Sequence, residues 1–98
     1  MEKKHSSYET VFIVDTSLGD EAVAELVSKF TSLIAEHGTI TETAEWGKRK
    51  LAYPINYRTE GYYTLVKFTA PQEFPAELDR VFHITDGILR SMIVRVDE

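Results

Sequence analysis

The chain has 98 residues, 43% hydrophobic and 28% charged, with a net charge of −5 and no cysteine. That length suits one domain with one core, and the lack of cysteine excludes disulfides, thiolate catalysis and cysteine-based zinc sites. Its apolar runs are a few residues long, far short of the about 20 needed to span a bilayer, and the polar residues 1–7 form neither a signal nor a transit peptide, so a cytoplasmic location is expected.

Residues 7–15 alternate, with Tyr8, Thr10, Phe12 and Val14 on one side and Val11 and Ile13 on the other. Apolar groups on both sides predict a central strand. Residues 1–6 are expected to be a flexible N-terminal extension of the domain. Residues 16–20 form a turn in which Ser17 and Asp20 have the spacing of a capping box. Val23, Leu26, Val27, Phe30, Leu33 and Ile34 then recur at helical spacing. The acids Asp20, Glu21 and Glu25 suit the positive end of the helix dipole. His37-Gly38 closes that helix, the glycine being free to turn left-handed.

Residues 39–52 read as a long polar strand, with Glu and Lys guarding a sheet edge. Pro54 donates no ladder hydrogen bond, which favours either an edge or the strand's end. Residues 56–61 connect to a second alternating strand, 61–69, with Tyr62, Thr64, Val66 and Phe68 set against Tyr63, Leu65 and Lys67. Pro75 fits the first turn of a short helix whose apolar side is Phe74, Leu78, Val81 and Phe82. Thr85-Asp86-Gly87 turns the chain into a last strand over 88–96. Two strand–helix–strand units pack as a ferredoxin-like α+β sandwich, βαββαβ, with a four-stranded antiparallel sheet and both helices on one face. One sheet face is left uncovered. Function is sought there, because the fold implies none.

A catalytic or metal site finds no support. His5, His37 and His83 read as solvated or capping residues, and His83 with Asp86 lacks further ligands. No glycine-rich phosphate loop or serine elbow occurs. No enzyme, cofactor or metal is therefore expected.

Charge is unevenly distributed. Residues 46–58 carry Lys48, Arg49, Lys50 and Arg58 and no acid, a local +4 that leaves −9 on the rest, while residues 15–36 hold five acids against Lys29. Such polarity suits a polyanion on one surface and a basic partner on another. Three adjacent cations on a strand offer charge to both sides, and Trp46 and Tyr53 add flat apolar surface for a base or a partner. A solvated edge guarded by Lys and Arg explains the same residues. Tyr8, Phe12 and Tyr62 form a base-stacking platform if strand register displays them on the open face. The RNA-recognition signature, tested at Glu60-Gly61-Tyr62-Tyr63-Thr64-Leu65-Val66-Lys67, fails at Glu60, Tyr63, Thr64 and Lys67.

Three segments carry a family resemblance. Trp46-Gly47-Lys48-Arg49-Lys50-Leu51-Ala52-Tyr53-Pro54-Ile55, Gly61-Tyr62-Tyr63 and Asp86-Gly87-Ile88-Leu89-Arg90-Ser91-Met92-Ile93-Val94-Arg95 occur in the order found in the S-six family of bacterial ribosomal proteins. The resemblance covers essentially the whole domain. It implies a structural protein of the small ribosomal subunit that binds the central domain of its rRNA as a heterodimer with the small, basic S-eighteen protein. The acidic balance of this chain favours such a cationic partner.

Carried over by position, Lys48, Arg49, Lys50, Arg90 and Arg95 are expected at RNA. Leu51, Tyr53, Pro54 and Ile55 match a segment that is structural or partner-facing. With Trp46, Tyr8 and Tyr62 they make up the expected partner surface. Two departures stand out. The family's Arg ahead of the first Tyr is Ser6 here, its cations displaced to Lys3 and Lys4, the expected terminal RNA contacts. His83 replaces a frequent Arg, making a permanent charge titratable. The alternatives are a stand-alone single-stranded RNA binder of the RNA-recognition type and a small-ligand regulatory domain.

Overall fold

The computed structural model describes residues 5–55 and 58–96, and the side chains of all of these except 52–55, 58 and 59. In chain order it contains β1 (His5–Asp15), a 3-10 turn (Thr16–Leu18), α1 (Asp20–His37), β2 (Thr39–Ile55), β3 (Arg58–Pro71), α2 (Phe74–Ile84) and β4 (Ile88–Arg95). The strands form one sheet in the order β2-β3-β1-β4, each neighbouring pair antiparallel. This is the ferredoxin-like arrangement expected from the sequence, with β1 and β3 central.

The core lies between one sheet face and both helices. Val23, Val27, Phe30 and Ile34 of α1 and Phe74, Leu78 and Phe82 of α2 pack on Tyr8, Phe12 and Val14 of β1 and Val66, Phe68 and Ala70 of β3. Phe12, Phe30 and Phe82 form its centre, with ring centroids 4.3–5.5 Å apart. Such contacts add to the area term about 0.5–1.5 kcal/mol per aromatic pair.

Local details depart from the sequence reading. β1 begins at His5, and Ser6 is buried with its hydroxyl accepting from Gln72 Nε2 at 3.1 Å, so the strand takes in two residues assigned to the terminal extension. Asp15, not Ser17, is the capping residue. Its Oδ1 accepts from the Ser17 backbone N–H at 2.9 Å and closes the 3-10 turn, while α1 starts after Gly19 without a side-chain cap. Gly38 is extended at φ −160°, not left-handed. It must be glycine because a Cβ there would lie 2.1 Å from the Thr69 carbonyl oxygen. The β2–β3 ribbon is longer than expected: β2 runs to Ile55 and β3 starts at Arg58, so much of the expected connection is strand.

Candidate docking surface on the open sheet face

Strand register sorts the side chains between the two faces. Tyr8, Thr10, Phe12 and Val14 stand opposite Phe68, Val66, Thr64 and Tyr62, and this set faces the helices. Alternation therefore puts Glu9, Val11 and Ile13 of β1 and Tyr63, Leu65 and Lys67 of β3 on the uncovered face. On β4, Val94, Met92 and Arg90 pair with Glu9, Val11 and Ile13 and lie on the same side.

This face has a small core of its own. Ile13, Leu51 and Leu65 are all buried yet stand apart from the helix-side cluster. Gly61 makes room for them, since a Cβ there would meet Ile13 Cγ2 at 2.2 Å and Leu51 Cδ2 at 3.5 Å. Around that core lies exposed apolar surface. Met92 is 57% exposed, Val94 47% and Trp46 44%, and the Trp46 ring stacks on Tyr63 with centroids 6.3 Å apart. Arg49, opposite Gly61, and Arg90 bring guanidinium groups to the same side. The surface is thus apolar along β4 and β1, aromatic at the β2–β3 ribbon, and flanked by arginines. Such a surface can bury against a protein while directing charge to phosphate.

The basic triplet divides between the two sides, as adjacent strand residues must. Lys48 stands opposite Tyr62 on the helix side, and its Nζ lies 3.4 Å from Asp20 Oδ1 at the start of α1. Arg49 donates from Nε to the Trp46 carbonyl at 3.4 Å. Lys50, exposed, stands opposite Glu60. Arg95 is exposed at the end of β4, opposite Tyr8. His83 is exposed on α2, its Nδ1 2.8 Å from the Asp79 carbonyl oxygen and 3.5 Å from the Asp79 carboxylate.

Tyr8 and Tyr62 of the expected partner surface, and Phe12 of the expected stacking platform, are placed elsewhere. Tyr8, 6% exposed, and Phe12, fully buried, belong to the helix-side core, because β1 turns its bulkiest alternate residues toward the helices. Tyr62 is half-buried on that same side, where its hydroxyl donates to Glu45 Oε1 at 3.1 Å. Desolvation by burial, then this bond to Glu45 and its negative charge, raise the phenol above its ordinary pKa. Leu51 is 7% exposed and packs within the chain. The expected contacts at Lys3 and Lys4, and at the side chains of Tyr53, Pro54 and Ile55, lie outside the described residues.

Conversely, Val11, Tyr63, Met92 and Val94 escaped sequence reasoning. Their alternation was visible, but two apolar faces on a central strand do not announce which one the helices cover. Among the described residues, no group of three or more His, Asp and Glu converges as a metal site.

Fold and face together define a ferredoxin-like domain whose uncovered sheet face is apolar and flanked by arginines. The family profile described as "Ribosomal protein S6" matches residues 7–95. The chain is 50% identical over 93 residues to "Small ribosomal subunit protein bS6" of Clostridium novyi, covering 94% of this chain and 98% of that one. It is 53% identical over 92 residues to the protein of the same name from Clostridium perfringens, covering 93% and 97%. The crystal structure of 30S ribosomal protein S6 from Thermotoga maritima superposes with a TM-score of 0.89 at 30% identity, over 95% of this chain and 89% of that one. The chain belongs to the ribosomal protein S6 family. It is accordingly a ribosomal, RNA-binding protein of translation and not an enzyme.

Proposed function

We propose that this chain joins the central domain of small-subunit rRNA as a heterodimer with the basic S-eighteen protein, and supports small-subunit assembly in the cytoplasm. The observation that carries this reading is the open sheet face, where Val11, Met92, Val94 and the Trp46–Tyr63 stack offer uncovered apolar surface. The net charge of −5 favours a cationic protein over naked RNA. Arg49 and Arg90 at the margins of that face are the favoured phosphate contacts, and Lys50 and Arg95 extend the charge along the two sheet edges. Lys3 and Lys4 would add contacts at the N-terminus, and Tyr53, Pro54 and Ile55 would extend the partner surface along the ribbon.

Calorimetric titration with purified S-eighteen protein, repeated with a central-domain rRNA fragment present, tests this. Binding to the protein, and RNA binding that requires both chains, is expected. Tight RNA binding by this chain alone would favour the RNA-recognition alternative. Little supports the platform of that alternative: Tyr8 and Phe12 are buried, and the open-face positions in the middle of the central strands, Glu9, Val11, Ile13, Tyr63, Leu65 and Lys67, include one Phe, Tyr or Trp, Tyr63.

A further inference from the structure

β2 does not alternate regularly through the segment that carries the site. Glu45 pairs with Thr64, Gly47 with Tyr63 and Lys48 with Tyr62, so Trp46 and Gly47 together oppose Tyr63 in a β-bulge. Gly47 has φ +79°, in the left-handed region that side chains avoid. A Cβ at Gly47 would have no atom within 4 Å, so backbone conformation, not crowding, is what calls for glycine.

The bulge decides which side chains share a face. In a regular strand, residues two apart lie together and residues three apart lie on opposite sides. Trp46 would then share its side with Lys48 and be separated from Arg49. Instead Trp46 stacks on Tyr63 over the open face, Arg49 stands on that same side, and Lys48 crosses to Asp20 beside α1. The hydrogen bond from Arg49 Nε–H to the Trp46 carbonyl bridges the bulge.

We propose that Gly47 is the positioning residue of the docking surface: its bulge brings Trp46 and Arg49 to one face, pairing an aromatic anchor with a phosphate-seeking cation. Lys48 is thereby assigned to holding the ribbon against α1. This rests on the functional reading above and names how the site is built.

Strand parity makes the proposal testable in an unusual way. Gly47→Val favours a regular strand through position 47, which must move either Trp46 or the residues after it to the wrong side. Removing Gly47 altogether leaves Glu45, Trp46, Lys48 and Arg49 consecutive and preserves the original distribution. The deletion is therefore expected to be milder than the substitution.

Both variants and the unaltered chain are titrated with S-eighteen protein, after circular dichroism confirms that each is folded. Trp46, the only tryptophan, reports its stacking on Tyr63 through fluorescence and nuclear Overhauser effects. Gly47→Val should bind at least about tenfold more weakly and unstack Trp46 from Tyr63, while the deletion stays within about threefold and keeps the stack. Unchanged binding and stacking in Gly47→Val, or a deletion as damaging as the substitution, would overturn the assignment. Should Gly47→Val fail to fold, the Trp46–Tyr63 stack in the deletion decides the matter: its presence supports the role of Gly47, and its absence overturns it. Failure of the unaltered chain to bind would instead sink the functional reading, with the Trp46–Tyr63 stack in the free variants still deciding what Gly47 positions.

Discussion

Lys48 Nζ lies 3.4 Å from Asp20 Oδ1, tying the β2–β3 ribbon to the first turn of α1. One member of the basic triplet is thus engaged inside the molecule, and the triplet is not a uniform patch. Both groups are solvent-exposed, so the pair is worth under about 1 kcal/mol to folding.

The first prediction separates neighbours in the triplet. Arg49→Ala should weaken rRNA-dependent assembly more than Lys48→Ala, because Lys48 must give up Asp20 before meeting phosphate. Neutralising Lys48, Arg49 and Lys50 together should also flatten the salt dependence, by about 0.7–0.9 in log–log slope for each phosphate that the protein no longer neutralises. Filter binding across a salt series measures both effects. An unchanged slope in the triple variant would remove the basic segment from the RNA surface.

Thr64 carries the second prediction. Its Oγ1 is buried and has no hydrogen-bond partner among the described residues. An unsatisfied hydroxyl in the core costs about 1–3 kcal/mol. Thr64→Val replaces it with a methyl group of nearly the same shape and should raise stability by about 1 kcal/mol. Urea denaturation reads this as a higher midpoint at constant slope. A lower midpoint would mean that the hydroxyl is satisfied in solution.

Gly38 allows no side chain. With the Thr69 carbonyl oxygen 2.1 Å from where a Cβ would stand, Gly38→Ala must push β2 away from β3 where α1 ends. A destabilisation of about 2–3 kcal/mol is expected, lowering the melting temperature by roughly 8 °C or more. A melting curve matching the parent's would show that the junction relaxes freely.

Alkaline pH should weaken the fold through Tyr62. Its pKa in the folded protein is raised above the ordinary 10.0 by desolvation and by the bond to Glu45. The folded state therefore holds the phenolic proton more tightly than the unfolded state. The stabilisation is complete below pH 10 and is lost as pH rises through the folded-state value. Tyr62→Phe should remove that part of the alkaline decline, a comparison made by measuring unfolding free energy between pH 8 and 11. Identical declines in the two proteins would exclude Tyr62 as the source.

Much of the fold was legible because it is written in periodicity. The α1 stripe Val23, Val27, Phe30 and Ile34 is buried as its spacing demands, and apolar residues on both sides of β1 and β3 mark the two central strands. Legibility failed where a residue's role depends on something distant in sequence. Gly38 reads as a helix stop, but the carbonyl that requires glycine belongs to Thr69, 31 positions away. The site was half visible. The cations and Trp46 stood out by composition and by family likeness, whereas Met92 and Val94 look like ordinary strand residues until the sheet leaves them uncovered.

Sequence alone determined the element order, the ferredoxin-like class, the basic segment and the family, since local spacing and motif order need no partner in space. Only the tertiary structure decided which side of β1 and β3 the helices cover, sending Tyr8 and Phe12 inward and leaving Val11 and Tyr63 facing out. It also decided, through one bulge at Gly47, that Trp46 and Arg49 share a face. The physical reason is common to both. A strand's pattern repeats every two residues and so specifies which side chains go together, while the choice of side, and any shift of that repeat, is set by what packs across the sheet.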